Sequence, residues 1–375
     1  MKGHLFNRRR FIKEGSKAAA GIALLPSLAS YTWAYTRKPP RIRFSVIGID
    51  HPHIYGMVET VMKGGGELVS VYAKEPEQVT AFSKRFPQVK TVRTPKEILQ
   101  DTSIQLVLSS AVPADRAPLG IEVMQHGKDF LVDKPGITTL EQLAEVRRVQ
   151  KETRRLYTIF TERLESRTIP KAGALIKAGA IGRVIQTIGF GPHRMNPQSR
   201  PPWFFDKKYF GGIITDLGSH QFDQFIYFTG STQVEIVSAQ TGNLNHPQYP
   251  ALEDFGDVML RGDKGTGYFR VDWFSPDGLK SFGDSRQTIL GTEGYIELRK
   301  TTDLSGRPGG DHLFLVNQKE NRYIDCSKEP MRFSELFIND MINRTETTIP
   351  QEEVFLTAEL GLRAQAEARE IKLKG

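Results

Sequence analysis

From Ile42 to about residue 160, short apolar or β-branched runs alternate with helical patterns, and that alternation leaves few folds open. Ile42 to Ile47 (IRFSVI) reads as a strand running into Gly48, and a helical stretch follows from about Ile54. Strand Glu67 to Tyr72, a helix over Glu77 to Phe86 and strand Leu106 to Leu108, ending in Ser109 and Ser110, come next. A helix over Leu119 to His126, strand Asp129 to Val132 and a helix from Leu140 to Glu152 complete the series. Such order implies right-handed crossovers and an α/β, Rossmann-like, doubly wound parallel sheet, which binds ligands at the carboxyl ends of its strands. The domain is expected over 41–160, with a second over 161–375.

The chain has a net charge of +8, a feature that elsewhere points to nucleic acid. Residues 1–40 hold eight cations against Glu14 alone, leaving seven of the eight charges there and the rest of the chain near neutral. No nucleic-acid partner is therefore expected. The same stretch carries Arg8-Arg9-Arg10-Phe11-Ile12-Lys13, then a mildly apolar run from Ala18 to Ala29 that is short for a membrane span. It resembles a twin-arginine signal peptide over 1–34, cleaved after Ala29 or Ala34, which implies the twin-arginine export machinery and a periplasmic location. The alternative is a basic amphipathic helix of the folded domain. One cysteine, Cys326, excludes an intrachain disulfide.

After the first strand, a dinucleotide site would show G-x-G-x-x-G; this chain shows Gly48-Ile49-Asp50-His51-Pro52-His53. Gly48 still permits the tight turn. Asp50 would repel a phosphate unless paired, and His51 or His53 can supply the pairing, or both histidines cap the next helix. Ala73 stands where an acid would hold the adenosine ribose of NAD, and Lys74 follows, a cation that suits a 2′-phosphate or is a plain surface lysine. Ser109, Ser110 and Pro113 complete the expected cofactor wall.

In Gly211 to Phe225 (GGIITDLGSHQFDQF), Asp216, His220 and Asp223 recur at i, i+4 and i+7, one face of a helix, with Phe222, Phe225 and Ile226 on the apolar stripe. That face offers two carboxylates and an imidazole for proton transfer. The alternative is a capping Asp216 and a hydrogen-bonded core His220. Upstream, His193, Arg194, Arg200 and Trp203, with Phe204 and Phe205, offer ring faces and donors of the kind a polyhydroxylated ligand meets, or form a proline-stiffened surface loop.

The fourth strand ends in Asp133-Lys134-Pro135. This triplet, the Rossmann-like domain and G-G-x-x-x-D-x-G-x-H-x-x-D together resemble the Gfo/Idh/MocA group (glucose-fructose oxidoreductase, inositol dehydrogenase). The resemblance covers Ile42 to the C-terminus. It implies NAD or NADP, with Asp133 and Lys134 at the cofactor and Lys134 at nicotinamide and substrate; the folded export route that the leader implies adds that the cofactor is tightly bound. Asp133 stands for the usual glutamate, and Arg116 stands where members often carry a histidine.

Seven strand-like runs between Val184 and Val316, separated by turns such as Gly291-Thr292-Glu293-Gly294, predict a C-terminal α+β domain with a large, mostly antiparallel open sheet. The resemblance implies that one face of this sheet supports the active site and the other a homo-oligomer. A helix over Glu352 to Ile371 would pack back on the chain. No zinc-like spacing, G-x-S-x-G elbow or Walker sequence occurs, so no metal is expected. The expected function is oxidation of a carbohydrate, with Lys134, Asp216 and His220 catalytic, His220 taking the hydroxyl proton, and Asp223, His193, Arg194, Arg200 and Trp203 on substrate. A redox-neutral NAD-dependent glycosidase and a non-catalytic binding protein are the alternatives.

Overall fold

The computed structural model describes residues 39–372, so the leader read at 1–34 lies outside the described residues. The chain runs β1 (Ile42–Ile47), α1 (His53–Lys63), β2 (Gly66–Tyr72), α2 (Pro76–Arg85), β3 (Lys90–Thr91), α3 (Pro95–Leu99), β4 (Leu106–Ser109), α4 (Pro113–Gln125), β5 (Asp129–Asp133), α5 (Leu140–Thr153) and β6 (Tyr157–Phe160). The six strands pair in parallel in the order β3-β2-β1-β4-β5-β6. Helices cover both faces, so β4, β5 and β6 are buried at every position and read as continuous apolar runs. The order reverses between β1 and β4, which opens a crevice at their carboxyl ends.

The expected helix over Leu119 to His126 begins earlier, at Pro113. Pro118 reads in sequence as a breaker because it lacks the N–H that would bond Ala114 O. That carbonyl is served instead by Gln142 Nε2 of α5 at 3.0 Å, and the helix passes through the proline. β6 was not anticipated; its four residues follow α5 too closely to stand out.

Beyond it come α6 (Glu162–Glu165), α7 (Thr168–Lys177), β7 (Val184–Pro192), α8 (Lys207–Phe210), α9 (Ile213–Asp216), α10 (Gly218–Thr229), β8 (Val234–Gly242), β9 (Phe255–Gly262), β10 (Thr266–Asp272), β11 (Arg286–Gly291), β12 (Gly294–Arg299), β13 (His312–Asn317), β14 (Asn321–Asp325), α11 (Phe333–Asn343), α12 (Gln351–Glu367) and β15 (Arg369–Glu370). Nine strands form a second sheet, β14-β13-β12-β11-β7-β10-β9-β8-β15, antiparallel except at β7/β10 and β8/β15. Its strands alternate: Val258 and Leu260 of β9 are buried while Met259 between them faces out. α10 lies across β7 and β10 with Phe222, Phe225 and Ile226 inward, as the periodicity predicts. The two halves share their cores. Phe333, Phe337 and Ile338 of α11 and Phe355 and Leu362 of α12 pack into the first core, while Leu360 and Ala364 of α12 pack into the second.

Candidate active site

A cavity of about 770 Å³ lies between the carboxyl ends of the parallel strands and the α10 side of the second sheet. Asp50, His51, Pro52 and His53 of the β1–α1 turn line it, with Gln78, Pro113, Arg116 and Lys134. Asp216, Leu217, His220, His193, Arg200, Trp203, Trp273, Phe282 and Lys300 line the rest. A side pocket of about 160 Å³ opens past His193 and His220 toward Glu162, Gln221 and Ser285.

Gly48 ends β1 at φ 79°, and a Cβ there would sit 2.7 Å from that of Ala111, so the turn requires glycine. Ser110 Oγ donates to His51 O at 2.8 Å and holds the turn, while Ser109 Oγ accepts from Ala111 N at 3.2 Å. Both serines are fully buried behind the cavity wall.

Asp133 is also fully buried, and it organises that wall. His53 Nδ1 lies 2.8 Å from its Oδ1; His51 Nδ1 and Arg116 Nη2 each lie 3.1 Å from Oδ2. Burial opposes the charge on Asp133, but His53, Arg116 and His51 overcome it and hold the carboxyl well below its usual range. Burial, then the neighbouring His53, brings His51 down to about 4. Arg116 also donates to Ala111 O and Lys134 O, both at 2.6 Å, and thereby fixes the strand end that presents Lys134. The ligand atoms of His51, His53 and Asp133 come close enough together for a metal ion, but the Arg116 guanidinium, 3.1 Å from the same carboxylate, already balances its charge.

Lys134 Nζ donates to Asp216 Oδ1 at 2.7 Å, with both side chains nearly buried. The expected single helix is instead α9 and α10 joined through Leu217, whose helical backbone keeps Asp216 and His220 on the cavity side. His220 Nδ1 accepts from the Glu162 backbone N–H at 3.0 Å. An amide can only donate, so Nδ1 is bare and the hydrogen of the neutral ring sits on Nε2. Burial and then Lys134 hold His220 well below its ordinary value, in that neutral form. The sequence reading made His220 the proton acceptor; this tautomer makes it a donor. Beside it, Lys300 Nζ lies 3.0 Å from Glu162 Oε1, and Ser285 Oγ and Gln224 Nε2 donate to Oε2. Burial works against the Glu162 charge, but Lys300, with the Ser285 hydrogen bond, brings the carboxyl down to about 2.

The remaining wall is aromatic. The Arg200 guanidinium sits over Phe204, Trp273 and Phe282 at 4.3 to 5.4 Å from the ring centres, and the same Trp273 and Phe282 pack edge-on against His193. Burial, then Lys134, brings His193 down to about 4.

Of the residues singled out in sequence, Asp50, His51, His53, Pro113, Lys134, His193, Arg200, Trp203, Asp216 and His220 share the cavity wall. Two of the expected substrate contacts do not. Asp223 is buried, 2.7 Å from Arg163 Nη2 and accepting from Thr161 Oγ1 at 2.9 Å, because i+7 carries it past the cavity to the α6 side. Arg194 turns away to donate to Pro276 O and Leu279 O. Lys74 is exposed at the end of β2 and does not line the cavity. Sequence reasoning missed Glu162, Trp273, Phe282 and Lys300, which reach the cavity from α6 and from loops of the second sheet with no local motif.

Two family models match the chain: an NAD-binding Rossmann-fold oxidoreductase family over residues 42–161, and the GFO/IDH/MocA C-terminal domain over residues 169–297. A protein of Erwinia carotovora atroseptica SCRI1043, classed as an oxidoreductase, is 43% identical, with a TM-score of 0.85 over 88% of this chain and all of that one. The scyllo-inositol 2-dehydrogenase (NAD(+)) of Bacillus subtilis is 27% identical over 306 residues, 79% of this chain and 83% of its own length. A levoglucosan dehydrogenase solved with NADH and levoglucosan is 16% identical and shares the fold at a TM-score of 0.71 over 87% of this chain and 96% of its own. The Gly48 turn, the crevice between β1 and β4 and the long cavity beyond them fit a dinucleotide. The chain belongs to the Gfo/Idh/MocA family of nicotinamide-dependent oxidoreductases.

Proposed function

We propose that the cleft oxidises a secondary hydroxyl of a sugar or polyol. One observation carries this reading: the Lys134–Asp216 pair and His220 share one cavity with the nucleotide-side turn and with a wall of aromatic rings and a guanidinium. The dinucleotide, when bound, supplies the hydride acceptor. The hydroxyl proton passes to the Lys134–Asp216 couple as the C–H bond breaks. His220 Nε2–H donates to the same oxygen and steadies its charge, with the Glu162 amide fixing the tautomer that makes this possible. Trp203, Phe282 and Arg200 meet the C–H faces and hydroxyls of the ring. The polyol and anhydrosugar named for the relatives favour the same substrate class.

The arginine pair and apolar run of the leader support export in the folded state with the nucleotide already in place. A tightly held cofactor then needs a second substrate to reset it. Ile185, Val237, Met259, Leu290 and Tyr295 leave large apolar side chains exposed on the second sheet, which favours self-association there.

The test is a screen of free sugars, polyols and glycosides against the exported protein, following nicotinamide absorbance and turnovers per chain with and without added NAD or NADP. Oxidation of a free polyol or sugar is expected. Aglycone release without net reduction would move the reading to redox-neutral cleavage, and no turnover of any hydroxylated substrate by nucleotide-loaded protein would refute it.

A further inference from the structure

In a sheet of this strand order the β1–α1 turn receives the diphosphate of a dinucleotide, ordinarily on bare glycine backbone at the helix N-terminus. Here Gly48 alone of that pattern remains, and Asp50, His51 and His53 project side chains into the cavity. The two imidazoles stand edge to face with centroids 4.2 Å apart, and both turn Nδ1 to Asp133. A carboxylate only accepts, so each Nδ1 carries a hydrogen and each Nε2 of a neutral ring is bare. The His53 amide also lies 3.4 Å from His51 Nδ1, too long to compete with the carboxylate at 3.1 Å. Among the described residues neither Nε2 has a hydrogen-bond partner. A bare nitrogen facing a diphosphate sets acceptor against acceptor, and only a proton between them turns the contact attractive.

We propose that His51 and His53 recognise the diphosphate as a proton-linked pair: nucleotide binding draws a proton from solvent onto an Nε2 of the pair, where it bonds a phosphate oxygen. Asp133, behind both rings, stabilises the imidazolium. The other charged groups around the pair are balanced. Arg116 of α4 is taken up by Asp133 and carbonyls; Lys134 of β5 opposes the proton but is paired to Asp216 of α9; Asp50, in the same turn, lies 3.5 Å from Gln78 Nε2 of α2 and favours it. The low value of His51, about 4, means that this ring enters binding near neutrality without a proton, so uptake onto it accompanies the ligand. This inference rests on reading the cleft as a dinucleotide site.

The probe is ADP-ribose, which carries the diphosphate without nicotinamide, titrated calorimetrically into nucleotide-free full-length protein at pH 7 in buffers of differing ionisation heat. About one proton should be taken up per ADP-ribose, and Kd should rise about tenfold per pH unit between pH 6 and 8. The variants H51N and H53N keep an N–H at the Nδ1 position for Asp133 and leave no donor where Nε2 stood. The double variant should bind with affinity independent of pH, at the weak level the starting protein reaches near pH 8. Wild-type binding with no proton uptake and a flat pH profile overturns the proton linkage and leaves the dinucleotide reading standing. No ADP-ribose binding at any pH overturns both.

Discussion

Replacing Lys134 by methionine separates the structural from the chemical role of its pair with Asp216. At 2.7 Å and an effective dielectric constant near 20, the gross attraction is about 6 kcal/mol, offset by the desolvation of both groups. Breaking a buried pair on one side costs about 3–5 kcal/mol, since the partner is left charged and alone. Because the pair borders a wide cavity that water can enter, the loss should fall at the low end, about 3 kcal/mol. The double variant K134M/D216L removes both charges and should recover most of it. Turnover should behave differently, falling by at least about 100-fold in K134M and staying low in the double variant, because no group remains to hold the hydroxyl proton. Urea unfolding gives the stabilities in a double-mutant cycle, and single-turnover oxidation of the screened substrate gives the rates. Turnover that returns together with stability in K134M/D216L would show that the pair only supports the fold.

Stability should decline in acid by a route the shifts specify. His51 and His193, held near 4 in the folded protein against 6.5 unfolded, bind protons first in the unfolded chain. Stability is therefore full above pH 6.5 and falls toward pH 4, by up to about 1.4 kcal/mol per pH unit for each ring. Glu162, held at about 2, adds a loss as pH drops from 4.5 toward 2, and thermal melts across this range test both signs. D223N should weaken the fold by about 2 kcal/mol, because Arg163 loses the carboxylate at 2.7 Å but keeps Glu353 Oε2 at 3.1 Å, and should leave KM within about twofold; a selective rise in KM would return Asp223 to the substrate site. K74D should cost NADP affinity and spare NAD, read by titrating both nucleotides, and equal losses for both would dissociate Lys74 from the 2′-phosphate.

What sequence reveals here follows the range of its signals. The parallel sheet was legible because buried strands leave continuous apolar runs, and the pair Lys134 and Asp216, 82 residues apart, was legible because each sits in a local pattern at a strand end or helix face. Asp223 misled because helical spacing gives direction around an axis but not how far along it the cavity extends. Glu162 and Lys300 carry no local signal at all; they meet across 138 positions through the packing of α6 against the end of β12. The tautomer of His220 was equally invisible, since a backbone amide 58 residues away sets it.

The sharing of α11 and α12 between the two cores has a consequence for biosynthesis. The parallel sheet leaves the ribosome first, but its apolar interior lacks Phe333, Phe337, Ile338, Phe355 and Leu362 until the last helices emerge. Even the edge strand β6 waits: the Tyr157 amide donates to Gln351 Oε1 at 2.8 Å, a partner translated 194 residues later. The N-terminal half therefore cannot finish folding as a free-standing domain during translation, and its incomplete core must be kept from aggregating until synthesis ends. A chain arrested before α12 would leave both halves unfinished at once, so truncated products are expected in the hands of proteases instead of accumulating as a stable nucleotide-binding fragment.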